Sequence, residues 1–125
     1  MSQGDYPIKG LHFLLRAMKD ILEEYPETKV YVAGNCITGD DGLKKKIKMA
    51  SYGKYLKELI EQNNLSEHIV FLGNLNAEQM KQRYLDSNVF VSPSTMENSP
   101  NSVGEAMILG MPVISSRVGG VHNLL

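Results

Sequence analysis

Short apolar runs closed by turn-forming residues alternate along this chain with segments whose apolar residues recur at helical spacing, and that alternation limits what it can fold into. The runs are Lys29-Val30-Tyr31-Val32-Ala33 before Gly34, His68-Ile69-Val70-Phe71-Leu72 before Gly73, Asn88-Val89-Phe90-Val91-Ser92 before Pro93, and Pro112-Val113-Ile114-Ser115-Ser116. Each has strand length and β-branched or aromatic content. Ahead of the first, Leu11, Leu14, Leu15, Met18, Ile21 and Leu22 predict an amphipathic helix over about 9–25, ending before Pro26. A second tract, about 42–63, carries Tyr52, Tyr55, Leu56, Leu59 and Ile60, with Gly53 as a possible interruption. Asn76-Ala77-Glu78-Gln79 reads as a capping box opening a helix to about Asp86, and the last helix is expected over 100–109.

Strict alternation of strands and helices implies an α/β fold with a doubly wound parallel sheet, Rossmann-like, in one domain over 1–125. Right-handed crossovers then bring three loops to the carboxyl edge of the sheet: the one from Gly34 onward, Gly73-Asn74-Leu75, and 93–99. A ligand site is expected there.

The third of these loops runs into Ser94-Thr95-Met96-Glu97-Asn98-Ser99-Pro100-Asn101-Ser102-Val103-Gly104-Glu105-Ala106-Met107. Ser99 is expected to cap a helix whose first residue is Pro100, since proline there loses no intrahelical bond. Amides at Asn101 and Ser102 would then favour an anion. Glu97 falls before the helix and Glu105 on its second turn, where the two carboxylates can reach different parts of an extended ligand. Val103, Ala106, Met107 and Gly110 form the stripe expected to face the sheet, with Asn101 and Glu105 opposite it. Acids near a helix start are also a common surface arrangement. Ile108 and Leu109 leave the helix apolar beyond its core stripe, which fits a cleft or partner surface.

Composition narrows the classes. A formal net charge of −1 over 125 residues gives no reason to expect nucleic acid, and Lys44-Lys45-Lys46-Ile47-Lys48 reads as a solvated helix face. Cys36 is alone, as expected in a reducing cytoplasm, and no Cys/His cluster offers a metal site. Asp40-Asp41 between glycines reads as a loop or cap, too few oxygen ligands for a hard cation. No segment approaches the roughly twenty apolar residues of a membrane helix, so a cytoplasmic chain is expected. His12 and His68 read as surface or strand-edge residues, His122 as solvated or, from its loop near the expected site, within reach of a ligand, and Met18, Met107 and Met111 as core fillers.

Taken together, Lys9-Gly10, Val32-Ala33-Gly34, Val70-Phe71-Leu72-Gly73, Val91-Ser92-Pro93-Ser94, Glu97 through Glu105-Ala106-Met107, and Gly110-Met111-Pro112-Val113-Ile114 with Gly119-Gly120 resemble the group 1, family 4 retaining glycosyltransferases. The resemblance is to their carboxyl-terminal, nucleotide-sugar-binding lobe, one half of the two-lobed GT-B fold. It implies transfer of a glycosyl group from a nucleotide diphosphate sugar to a glycan or other acceptor, in a setting such as surface polysaccharide assembly. No cofactor or metal is implied, the donor being a substrate. The partner implied is an amino-terminal acceptor lobe, without which this piece is expected to be inactive, and the resemblance is compatible with peripheral membrane attachment of the full enzyme. A binding or scaffold module of the same fold is the alternative.

By that resemblance Lys9 contacts the donor diphosphate, the backbone from Gly73 through Asn74 to Leu75 holds the base, and Gly34 belongs to the same donor site. Glu105 accepts from the ribose hydroxyls. Glu97, the catalytic candidate, holds hydroxyls of the transferred sugar or acts as nucleophile, while Asn98, Ser99, Asn101 and Ser102 steady sugar and phosphates. The chain departs from the family pattern where Asn98-Ser99-Pro100 replaces the common glycine-aromatic-glycine, and where no arginine precedes Lys9 in residues 1–8.

Overall fold

The computed structural model describes residues 7–34, 43–97 and 100–124, with 43–50 as helical backbone alone. The expectations for Cys36, the Asp40-Asp41 pair, the Lys44 to Lys48 side chains, Asn98 and Ser99 lie outside the described residues. A 3-10 turn, Pro7–Lys9, leads into α1, Leu11–Glu24. Then follow β1 (Val30–Ala33), α2 (Leu43–Gln62), β2 (Ile69–Gly73), α3 (Ala77–Asp86), β3 (Phe90–Ser92), α4 (Asn101–Ile108), β4 (Val113–Ser115) and a closing 3-10 segment, Gly119–Asn123. The alternation read from the sequence is thus present element for element, with Gly53 held inside α2 without breaking it.

The strands pair in parallel, β1 with β2 and β3 with β4, with Tyr31 opposite Val70 and Val91 opposite Ile114. Among the described residues they form two ladders in place of the single expected one. Leu11, Leu14, Leu15 and Met18 of α1 are buried with Val32, Ile69 and Leu56, Leu59 of α2 in one core. Tyr84 of α3, Phe90 of β3 and Val103, Ala106 of α4 form the second. Phe90 joins the second core while its neighbour Val91 packs against the first. Successive strand residues point to opposite faces, so the helix pair α1/α2 and the pair α3/α4 cover opposite sides of β3, which is the doubly wound layering.

The helix ends follow local chemistry. The capping box of α3 is complete: Gln79 N–H donates to Asn76 Oδ1 at 2.8 Å and Asn76 N–H to Gln79 Oε1 at 3.0 Å. Past α2, Asn64 takes the left-handed conformation (φ 54°) and Leu65 N–H returns to Ile60 O at 2.8 Å, sealing the fully buried Leu65 beneath the helix end. The start of α4 corrects the expectation. Pro100 has a non-helical ψ of 76° and precedes the helix as its cap, with no side-chain capping bond, because its carbonyl takes the first amides, from Val103 and Gly104. The apolar stripe of α4 is narrower than expected. Val103 and Ala106 are buried, whereas Met107 is partly exposed and Gly110, left-handed past the helix end, lies at the surface.

Candidate functional site

The loops after β1, β2 and β3 converge, as parallel topology requires, on one open cleft of about 380 Å³. Gly34 borders it from the end of β1, and Asn74 and Leu75 from the loop after β2. Lys9 and Glu97 form one wall, and Asn101, Ser102 and Glu105 of α4 the other. Among the described candidates, Gly73 is the one that does not line it. It closes the first ladder opposite Ala33 and accepts a hydrogen bond from Gly34 N–H at 2.9 Å, which aims the two residues after it at the cleft.

Lys9 ends the turn ahead of α1, and its Nζ is 2.6 Å from Glu97 Oε1, with both side chains largely shielded from solvent. Two glycines make this meeting possible. Gly10 has φ 75°, and a Cβ there would lie 2.1 Å from Pro93 O; Gly119 has φ 52°, and a Cβ there would lie 1.4 Å from Glu97 O. Any side chain at either position would push the backbone of the 93–97 loop away from Lys9. Thr95 N–H donates to Ile8 O at 2.8 Å and locks the same loop to the turn.

Glu105 is exposed on α4, on the side away from Val103 and Ala106 as expected. Tyr84 of α3 reaches it from behind: its hydroxyl donates to Glu105 Oε2 at 3.3 Å and lies 3.4 Å from Ser102 O. Burial first, then the charge of Glu105 and the bond to it, push the Tyr84 phenol above its ordinary range, so it remains a donor at every physiological pH. Ser94, 3% exposed, donates to Glu97 Oε1 at 3.0 Å. The sequence reading assigns no role to Tyr84, and Ser94 enters it only as part of the stretch that follows the third strand. Tyr84 is the one buried residue of α3, and a buried hydroxyl must find an acceptor.

His122 is exposed in the last 3-10 segment and does not border the cleft. His12 corrects the surface expectation. It is half-buried between α1 and α2, with Nδ1 3.0 Å from the Tyr52 hydroxyl, and burial followed by the charge of Arg16 lowers its pKa. His68 is likewise half-buried, its Nδ1 2.9 Å from Thr28 O. Among the described residues no group of three His, Cys, Asp or Glu stands together. No helix among them is long and apolar enough to cross a membrane.

The family model for group 1 glycosyl transferases matches residues 4–125. The chain belongs to the group 1 glycosyltransferases. This glycosyltransferase chain is 33% identical over 117 residues to an uncharacterized glycosyltransferase of Methanocaldococcus jannaschii, covering 94% of the chain and 26% of that protein. It is 32% identical over 114 residues to spore coat protein SA of Bacillus subtilis, covering 90% of the chain and 28% of that protein. It thus spans about a quarter of the length of these relatives. Among solved structures it resembles the sucrose-phosphate synthase of Thermosynechococcus elongatus at 29% identity and a TM-score of 0.74, over 94% of this chain and 27% of that one. It also resembles Anabaena HepE in complex with UDP at 26% identity and a TM-score of 0.77, over 96% of this chain and 29% of that one. The mixed α/β architecture with parallel strands is that of GT-B glycosyltransferase domains.

Proposed function

We propose that the cleft between the strand ends and α4 binds a nucleotide diphosphate sugar, and that the chain is the donor-binding part of a retaining transferase acting on a glycan or other acceptor. The observation that carries this reading is the convergence of Lys9, Glu97 and Glu105 on one cleft at the carboxyl ends of parallel strands. The likeness to HepE, solved with UDP, supports it. Glu105 accepts from the vicinal ribose hydroxyls, as a carboxylate with two oxygens does well. The base lies along the backbone from Gly73 to Leu75, with Gly34 at its side. Asn98, Ser99, Asn101 and Ser102 steady the sugar and phosphates.

In this reading the anomeric C–O bond to the diphosphate breaks while an acceptor oxygen bonds to the same carbon on the same face, and the acceptor proton passes to the departing phosphate oxygen. Lys9 neutralises the charge that grows on the diphosphate. Glu97, held at Oε1 by Lys9 and Ser94, holds hydroxyls of the transferred sugar, and the transfer proceeds by front-face departure, with nucleophilic attack by this carboxylate as the second route. Calorimetric titration with UDP, GDP and ADP, repeated on Glu105→Ala, tests the reading. Saturable binding of one nucleotide, weakened by the substitution, is expected. A folded protein that binds none would leave a binding or scaffold module without donor chemistry.

A further inference from the structure

Glu97 is gripped at one oxygen. Lys9 Nζ lies 2.6 Å from Oε1, and the Ser94 hydroxyl donates to the same atom at 3.0 Å. Among the described residues no hydrogen bond is made to Oε2, although the side chain is only 11% exposed. Ser94 is held on every side. Its carbonyl accepts from the Ser116 hydroxyl, just past β4, and Ser116 N–H bonds Ser92 O at 3.1 Å. Its neighbours Pro93 and Thr95 are pressed against Gly10 and bonded to Ile8. A hydroxyl so placed has lost its freedom before any ligand arrives, and its bond to a carboxylate is of the stronger, charge-assisted kind. Lys9 alone would hold Glu97 less well, because an ammonium on a flexible stem fixes distance without fixing orientation.

We infer that Ser94 is a positioning residue for Glu97, its buried hydroxyl fixing one carboxylate oxygen so that the other is presented to the hydroxyls of the sugar in the cleft. This rests on the donor-site reading above, but the positioning itself can be tested without a ligand. The loops after β3 and β4 thereby act as a unit: Ser116 holds Ser94, and Ser94 holds Glu97.

The experiment uses Ser94→Ala, with Ser94→Thr as the variant that keeps the hydroxyl. In ligand-free crystals of Ser94→Ala, Glu97 should leave its single position beside Lys9 or occupy more than one rotamer, and Ser94→Thr should restore it. In parallel titrations with UDP and UDP-glucose, Ser94→Ala should weaken UDP-glucose about three- to tenfold more than UDP, the scale of one hydrogen bond. An unmoved Glu97 in the alanine variant overturns the inference, as does an equal loss for the two ligands, which a general loosening of the loop would produce. If Glu97 moves but neither ligand binds the unmodified chain, Ser94 still positions Glu97 and it is the donor-site reading that fails.

Discussion

Lys9 and Glu97 are 88 positions apart in the chain, yet their side chains meet at 2.6 Å. The pair ties the turn ahead of α1 to the loop after β3 and places opposite charges at the mouth of one cleft. Within the donor-site reading these two groups neutralise each other until a ligand with an anionic part and a hydroxylated part separates their duties.

Replacing Lys9 with Met should therefore strand a largely shielded carboxylate. The expected loss is about 1–3 kcal/mol of unfolding free energy, measured by urea denaturation. Glu97→Gln should cost less, because a neutral amide oxygen still accepts from Ser94. The double variant should be less destabilised than the sum of the two singles, and strict additivity would show that the pair contributes nothing through its charge.

Gly119 meets the backbone of Glu97 at a distance that no Cβ tolerates, and does so with a left-handed φ of 52°. Gly119→Ala should cost at least about 2 kcal/mol and displace the 93–97 loop. Amide chemical shifts should change around residues 94–97 more than along α2. A variant as stable as the parent would mean that the closing 3-10 segment does not press on the site.

The hydroxyl of Tyr84 supports Glu105, while its ring packs edge-on against Phe90 at 5.6 Å. Tyr84→Phe keeps the ring and removes the hydroxyl, so stability should change by no more than about 1 kcal/mol. Nucleotide affinity, read by the same calorimetry, should fall about two- to tenfold. An undiminished affinity would separate the orientation of Glu105 from binding.

His12 is a base whose folded pKa lies below its ordinary 6.5, through burial and then the charge of Arg16. Between the two values the unfolded chain binds more protons than the folded one, so the neutral ring's contribution to stability is present above about 6.5 and lost as pH falls through the lowered folded value. Among the described residues, the charged and titratable groups facing it are Arg16 on α1 and the phenols of Tyr52 and Tyr55 on α2. His12→Gln should therefore lose less of its thermal stability than the parent between pH 7.5 and pH 5. Parallel melting curves for the two proteins would remove His12 from the acid response.

The periodicities were enough to locate every α-helix and strand of the described residues to within two residues, because short apolar runs and 3.6-residue spacing are local properties of the chain, whereas neither 3-10 segment was read. The expected stripe of α4 failed at Met107 and Gly110 because burial depends on what packs against a helix, and of the four stripe residues Val103 and Ala106 meet the core of Tyr84 and Phe90. Pro100 was misplaced by one position because its ψ is set by the loop it closes.

The site divides in the same way. That the segment carrying Glu97 and Glu105 and the loops after the first two strands meet was legible because parallel topology sends every strand's carboxyl end to one edge, whereas Lys9, ahead of the first helix, entered only through the family resemblance. Their mutual geometry was not legible: that Lys9 grips Glu97, that Tyr84 and Ser94 stand behind the two glutamates, and that Gly10 and Gly119 make room for them. Alternation along a chain fixes which elements form and which ends converge. Distances between side chains separated by tens of residues are decided only when the helices seat on the strands, and here that seating brings α1 and the loop after β4 to the same short turn.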